Sequence, residues 1–165
     1  MYMRDGHYLD GKKILAVDDE PDVLETLEEL LTMCEFRKAS TFDEAKGLLE
    51  SKDFDIAILD IMGVEGYALL DIATKRNITA VMLTAHAFTP DNLVRSLKNG
   101  AASYLPKQEM GHIESFLIDI LKSREEGEST WEPWRGDLPS SYFERRWGED
   151  WKDQDRDFWK KFNDQ

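Results

Sequence analysis

Short apolar runs alternate along this chain with longer stretches in which leucine, isoleucine and valine recur every three or four residues. The runs are ILAV at 14–17, FRKAS at 36–40, FDIAIL at 54–59, ITAVML at 78–83 and ASYL at 102–105. Such runs read as strands, and their alternation with helical patterns is the rhythm of a parallel sheet covered by helices on both faces.

Five helices fill the gaps. Val23, Leu24, Leu27, Leu30 and Leu31 follow helical spacing in the first, and Pro21 sits where a first turn tolerates a missing N–H. Thr41 with Glu44 forms a capping box that opens the second helix, through Leu48 and Leu49. The third runs from about residue 66 to 75. Thr89 and Pro90 open the fourth, through Leu93, Val94 and Leu97, and Gly100 ends it. The fifth runs from about residue 108 to 123 and buries Ile113, Phe116, Leu117 and Ile120. Five strands and five helices in strict alternation predict an α/β fold built on an open, doubly wound, five-stranded parallel sheet. The ligand site of such a sheet lies at the carboxyl ends of its strands.

Composition narrows the partners. A chain of 165 residues holds one packed core plus an appendage. Its 34 acids against 21 bases give a formal net charge of -13, which repels polyphosphate backbones, so no nucleic-acid partner is expected. The single cysteine, Cys34, lies in the apolar phase of a helix and reads as a small core residue, with no disulfide framework. No stretch approaches the roughly 18 consecutive apolar residues of a membrane span, and the first residues lack the apolar core of a signal peptide. The expected location is the cytoplasm, with no membrane contact.

The strand ends carry the chemistry. Asp18, Asp19 and Glu20 end the first strand, and Asp60, preceded by four apolar residues, ends the third. Carboxylates this close in a partly dehydrated cleft raise one another's pKa unless a cation neutralises them. A hard divalent ion with oxygen ligands, magnesium or manganese, suits them; one cysteine and three scattered histidines give no zinc spacing. Thr84 ends the fourth strand with a hydroxyl, and Lys107 follows the fifth with an ammonium. A carboxylate nucleophile attacking a phosphoryl donor needs a metal, a cation and a hydrogen-bond donor around the phosphate oxygens, and these positions supply each.

VDDE at 17–20, LD at 59–60, TA at 84–85 and YLPK at 104–107 occur in order, each at a predicted strand end, and in this the chain resembles the CheY-like receiver domain of two-component response regulators over about residues 12–123. The resemblance implies a flavodoxin-like sheet. It implies further that Asp60 is the phosphoacceptor, Asp19 a direct metal ligand, Asp18 a ligand acting largely through water, and the Met62 main-chain carbonyl the third protein ligand. Thr84 and Lys107 match the switch hydroxyl and the phosphate-binding lysine, and Tyr104 the aromatic switch that turns inward with the threonine. The implied partners are a sensor histidine kinase and a downstream protein target. The implied catalysis is self-phosphorylation and slow hydrolysis rather than turnover of a metabolite.

Two features depart from that pattern. The loop after the acceptor, Ile61-Met62-Gly63-Val64-Glu65-Gly66, is shorter than is usual in receivers and lacks their proline, which bears on metal geometry and on rates. Met62 and His86 occupy positions where such rates are tuned. His7 and His112 read as surface or packing residues.

Residues 1–11 read as an N-terminal tail and 124–165 as a linker with an extension. All five tryptophans lie in that extension. WEPWRGDLP predicts an extended or turn-rich path, and Ser141 with Glu144 a second capping box that opens an amphipathic helix. Phe143, Trp147, Trp151, Phe158 and Phe162 fall near one face of it and demand burial, either on the chain's own receiver or against a subunit or partner. An acidic segment does not suit a membrane surface. A homodimer would use this helix or the face of the fourth helix and fifth strand. With no helix-turn-helix or basic recognition face, the extension is not expected to be a DNA-binding output domain. The rival reading is a receiver-shaped scaffold that binds its partner without phosphorylation; a phosphomonoester hydrolase, a third option, lacks a substrate cap.

Overall fold

The structure, a computed structural model, describes residues 8–85, 89–127, 144–145 and 147–163, except the side chains of 154–156 and 161–163. Its elements run β1 (Lys13–Val17), α1 (Pro21–Leu30), β2 (Glu35–Ala39), α2 (Phe42–Ser51), β3 (Ile56–Asp60), α3 (Gly66–Lys75), β4 (Thr79–Thr84), α4 (Pro90–Lys98) and β5 (Ser103–Pro106). A 3-10 turn (Lys107–His112) leads into α5 (Ile113–Glu125), and a second one (Trp151–Asp155) leads into α6 (Arg156–Asn163).

The five strands form one parallel sheet in the order β2-β1-β3-β4-β5. β3 and β4 are buried along their whole length, as strands covered on both faces must be. β2 at the edge is mostly exposed, and it starts at Glu35, one residue ahead of the predicted run. The expected fold class is therefore the observed one.

Local signals hold where they carry a hydrogen bond. Thr41 Oγ1 accepts from the Glu44 amide at 3.2 Å, and the Glu44 carboxylate accepts from the Ser40 amide at 2.9 Å, closing the box one residue further back than the simple motif. Thr89 Oγ1 accepts from the Asn92 amide at 3.2 Å and caps α4. Gly100, at φ +94°, ends that helix. The fifth predicted helix opens instead as a 3-10 turn and becomes α-helical only at Ile113.

Two expectations are corrected. Cys34 is half-buried rather than enclosed: its thiol donates to the Leu9 carbonyl at 3.4 Å, and burial raises its pKa to about 11. The C-terminal segment is not one continuous helix. The Gly148 amide closes a turn onto the Glu144 carbonyl at 2.8 Å with φ at +90°, a left-handed stop, and the chain restarts at Trp151. Ser141 and Phe143, named in that expectation, lie outside the described residues, as does the side chain of Phe162.

Gly66 shows how tightly the loop after β3 is drawn. A Cβ at Gly66 would collide with the main-chain carbonyl oxygen of Asp60 and stand 2.8 Å from the Ile61 Cα, whereas one at Gly47, inside α2, meets nothing. Gly66→Ala is therefore expected to destabilise the protein by about 1–3 kcal/mol, and Gly47→Ala to stabilise it by about 0.5–1 kcal/mol. Urea unfolding of the two variants against the parent checks both signs.

Candidate functional site

Register decides which side chains meet. Val17 pairs with Leu59, so the next residues, Asp18 and Asp60, stand side by side at the carboxyl edge of β1 and β3. Asp60 pairs with Leu83 and Thr84 with Pro106, which brings Thr84 and Lys107 to the same rim. The order β2-β1-β3 makes the gap between β1 and β3 the point where the sheet's winding reverses, the place where ligands of doubly wound sheets bind.

A cavity of about 180 Å³ at this edge is lined by Asp19, Glu20, Asp60, Met62, Gly63, Thr84, Ala85 and Lys107. Asp18, Asp60 and Thr84 are almost fully buried there. The Lys107 ammonium lies 2.9 Å from Asp18 Oδ2, 2.9 Å from Glu20 Oε1 and 3.5 Å from Asp60 Oδ1. One cation thus balances three acids, two of them out of water. Asp18 Oδ1 accepts from the Glu20 amide at 2.9 Å, while Oδ2 has no hydrogen-bond donor beyond that ion contact.

The charge balance is incomplete. Burial first, then the Asp18 carboxylate, pushes the Asp60 pKa up to about 7 against the pull of Lys107. Burial also raises Asp18, because desolvation outweighs the Lys107 and Glu20 contacts that oppose it. The Lys107 pKa is raised as well: burial alone would lower it, but its carboxylate partners outweigh that cost and hold it charged.

A hard cation fits this donor set. Asp18, Asp19 and Glu20 place carboxylate oxygens within 4.8 Å of one another, and the under-bonded Asp18 Oδ2 is the buried oxygen that a cation would satisfy. Gly63 keeps the entrance open: at φ +80°, a Cβ there would stand 2.6 Å from Asp19 Oδ2. The short loop thus turns on two glycines: at Gly63 a side chain would be strained by the positive φ and would displace the Asp19 carboxylate, and at Gly66 it would meet main chain.

The remaining expected positions divide. Tyr104 is fully buried although β5 is an edge strand, and its hydroxyl accepts from the Thr89 amide at 3.1 Å and lies 3.4 Å from the Thr89 carbonyl. The Met62 side chain is 59% exposed at the mouth of the cavity. His86 and His7 lie outside the described residues, and His112 is on the surface 3.6 Å from Glu109. The aromatic extension shifts in membership: Trp151 and Trp159 are each 6% exposed within the main apolar core, and Trp147 and Phe158 are half-buried against it. Trp159 was not among the positions expected from spacing, since a single continuous helix sets the wrong phase beyond Gly148. Glu20, the third partner of Lys107, had no assigned role either, and Tyr67, whose hydroxyl is 2.9 Å from Asn92 Oδ1, carried no signal in any motif. No described helix is long and apolar enough to cross a membrane.

The raised Asp60 pKa has a testable sign. A carboxyl with a folded pKa of about 7 against an ordinary 3.8 favours the folded state while protonated, so its contribution is present at low pH and lost as pH rises from about 4 to 7. In metal-free buffer, Asp60→Asn should therefore be more stable than the parent at pH 8 by about 2–4 kcal/mol and nearly equal to it at pH 4. Urea unfolding with chelator at the two pH values measures this.

The chain is similar in sequence and fold to known proteins. The family model of the response regulator receiver domain matches residues 14–116. The two-component response regulator ARR18 of Arabidopsis thaliana is 35% identical over 103 residues, covering 59% of this chain and 16% of that protein. The chain thus spans about a sixth of that relative's length. Among solved structures, the Francisella response regulator 1452 receiver domain is 25% identical with a TM-score of 0.60, over 70% of this chain and 99% of that one. A Burkholderia pseudomallei response regulator with a phosphorylated aspartic acid, calcium ion and citrate is 25% identical with a TM-score of 0.59, over 70% of this chain and 72% of that one. With a strand order, a site at the winding reversal and a family match that all agree, this chain belongs to the response regulator receiver domain family.

Proposed function

We propose that Asp60 is the phosphoacceptor of this receiver, that the charge cluster around it is its catalytic apparatus, and that the chain signals by protein contact. Residues 12–123 carry this switch and residues 124–165 extend it. The observation that supports the reading best is Lys107, whose ammonium, just past β5, bridges Asp18 and Glu20 after β1 to Asp60 at the end of β3. Receivers as a family take a phosphoryl group on an aspartate, hold a divalent cation beside it and work with histidine kinases, and the Burkholderia relative shows a phosphorylated aspartic acid together with a calcium ion.

In this reading a sensor kinase's phosphohistidine is the donor. An Asp60 carboxylate oxygen attacks phosphorus, the O–P bond forms, the N–P bond of the donor breaks, and the freed imidazole nitrogen keeps the electron pair and is protonated from solvent. Asp60 must be ionised to attack, and Lys107 favours that form, as its lowering effect on the Asp60 pKa indicates. Lys107 then exchanges a carboxylate partner for a phosphate oxygen, and the Thr84 hydroxyl donates to another. Asp18, Asp19, Asp60 and the Met62 main-chain carbonyl would hold magnesium or manganese, which when bound neutralises the acids and the phosphate oxygens. Ala85, next to Thr84, keeps the approach to Asp60 narrow but passable.

The phosphorylation-independent scaffold remains a distinct reading, motivated by the short loop drawn over the site by Gly63 and Gly66. The two separate in one experiment. Incubation with acetyl phosphate and magnesium, read by intact mass, should add one phosphoryl group to the parent and none to Asp60→Asn, and Lys107→Ala should cut the rate at least tenfold. Absence of any adduct, with partner affinity indifferent to Asp60→Asn, would favour the scaffold.

A further inference from the structure

α4 is held at both ends by groups that the acceptor chemistry does not by itself require. At its start, the Thr89 amide and carbonyl meet the hydroxyl of the fully buried Tyr104. Along its length, the Tyr67 hydroxyl from α3 lies 3.0 Å from the Asn92 carbonyl and 3.3 Å from Ser96 Oγ, and the Arg95 guanidinium stacks 3.9 Å over the Tyr67 ring. At its end, the Lys98 ammonium sits 5.5 Å over the ring of Phe158, which belongs to α6.

Phe158 brings the whole aromatic segment with it. Its ring meets Trp159 edge-on at 5.1 Å, Trp159 meets Trp151 at 5.2 Å, and Trp151 meets Trp147 at 5.2 Å. Lys152 stands over both Trp151 and Trp159, at 5.3 and 5.2 Å. Trp151 and Trp159 are buried in the same core as the sheet. The segment is therefore packed onto the receiver body, and it meets the far end of α4 through Lys98 and Phe158.

A helix of nine residues is about 13 Å long and moves as one body, so a displacement at Thr89 is delivered to Lys98. We propose that residues 147–163 are this receiver's own reader: an aromatic segment seated at the Lys98 end of α4, whose seating changes when Asp60 carries a phosphoryl group. The inference rests on the acceptor role proposed above and adds the surface that responds. Protein partners then meet a face whose access is controlled in cis, by the same chain that carries the switch.

The sequence supplies its own probe, because every tryptophan lies at residue 131 or beyond and the receiver body has none. The 165-residue chain carrying Trp131→Phe and Trp134→Phe reports through Trp147, Trp151 and Trp159 alone. Acrylamide quenching is measured with magnesium, then with magnesium and acetyl phosphate, with intact mass taken on the same samples. The expected result is a quenching constant that at least doubles as the phosphoryl adduct appears, with no change in Asp60→Asn. In the unphosphorylated state, Lys98→Glu should raise the constant by a similar factor while taking up phosphoryl normally. An adduct with unchanged quenching overturns the reader and leaves the acceptor standing. No adduct overturns the acceptor and the reader with it. Quenching in Lys98→Glu equal to that of the parent overturns the seat on α4.

Discussion

A single ammonium among buried carboxylates is the constraint around which this molecule is arranged. Asp18 and Asp60 are taken almost wholly out of water, and an isolated ionised carboxylate in that setting costs several kcal/mol. Lys107 offsets part of that cost by reaching Asp18 and Glu20 at 2.9 Å and Asp60 at 3.5 Å. It does not offset all of it, since Asp60 stays protonated to well above the ordinary carboxylate range. In the proposed reading, the residual deficit of positive charge would give the site its affinity for a divalent cation. The same deficit would let an arriving phosphate, with its cation, rearrange the partners of Lys107.

The sheet exists in a form that makes this cluster unavoidable. The parallel register brings the strand ends to one edge within a residue of each other, so acids following β1 and ending β3, a hydroxyl ending β4 and a lysine following β5 converge without any long-range instruction. Most of this was legible in the sequence. Apolar runs of four to six residues read as strands when capped helices alternate with them, four of the five being buried and the FRKAS run an exposed edge, and Thr41 and Thr89 mark helix starts through hydrogen bonds that the structure contains. The site positions followed because strand ends are where the alternation stops.

What was not legible depends on geometry rather than on residue type. Glu20 looks like any exposed acid until Lys107 is seen to reach it. Gly63 and Gly66 look like loop glycines; only the closeness of Asp19 and of the Asp60 carbonyl shows that a side chain there comes at a cost. The aromatic extension misled for a similar reason. Helical spacing drawn through Gly148 assumes that the helix continues, and once the chain turns at φ +90° the phase is reset and Trp159 replaces its neighbours as a buried ring. Tyr67 follows the same rule: its place between α3 and α4 is a property of packing, which periodicity does not encode.

The central claim is that the acidic pocket exchanges its internal cation for a divalent metal and a phosphoryl group on Asp60. An experimental structure of the protein with manganese and beryllofluoride tests it most directly, through the anomalous signal of the metal. The account predicts one manganese between Asp18, Asp19 and Asp60, beryllofluoride on an Asp60 oxygen, and Lys107 turned from Glu20 toward a fluorine. Manganese absent from the pocket, or Lys107 still bridging Asp18 and Glu20 with Asp60 unmodified, would contradict it.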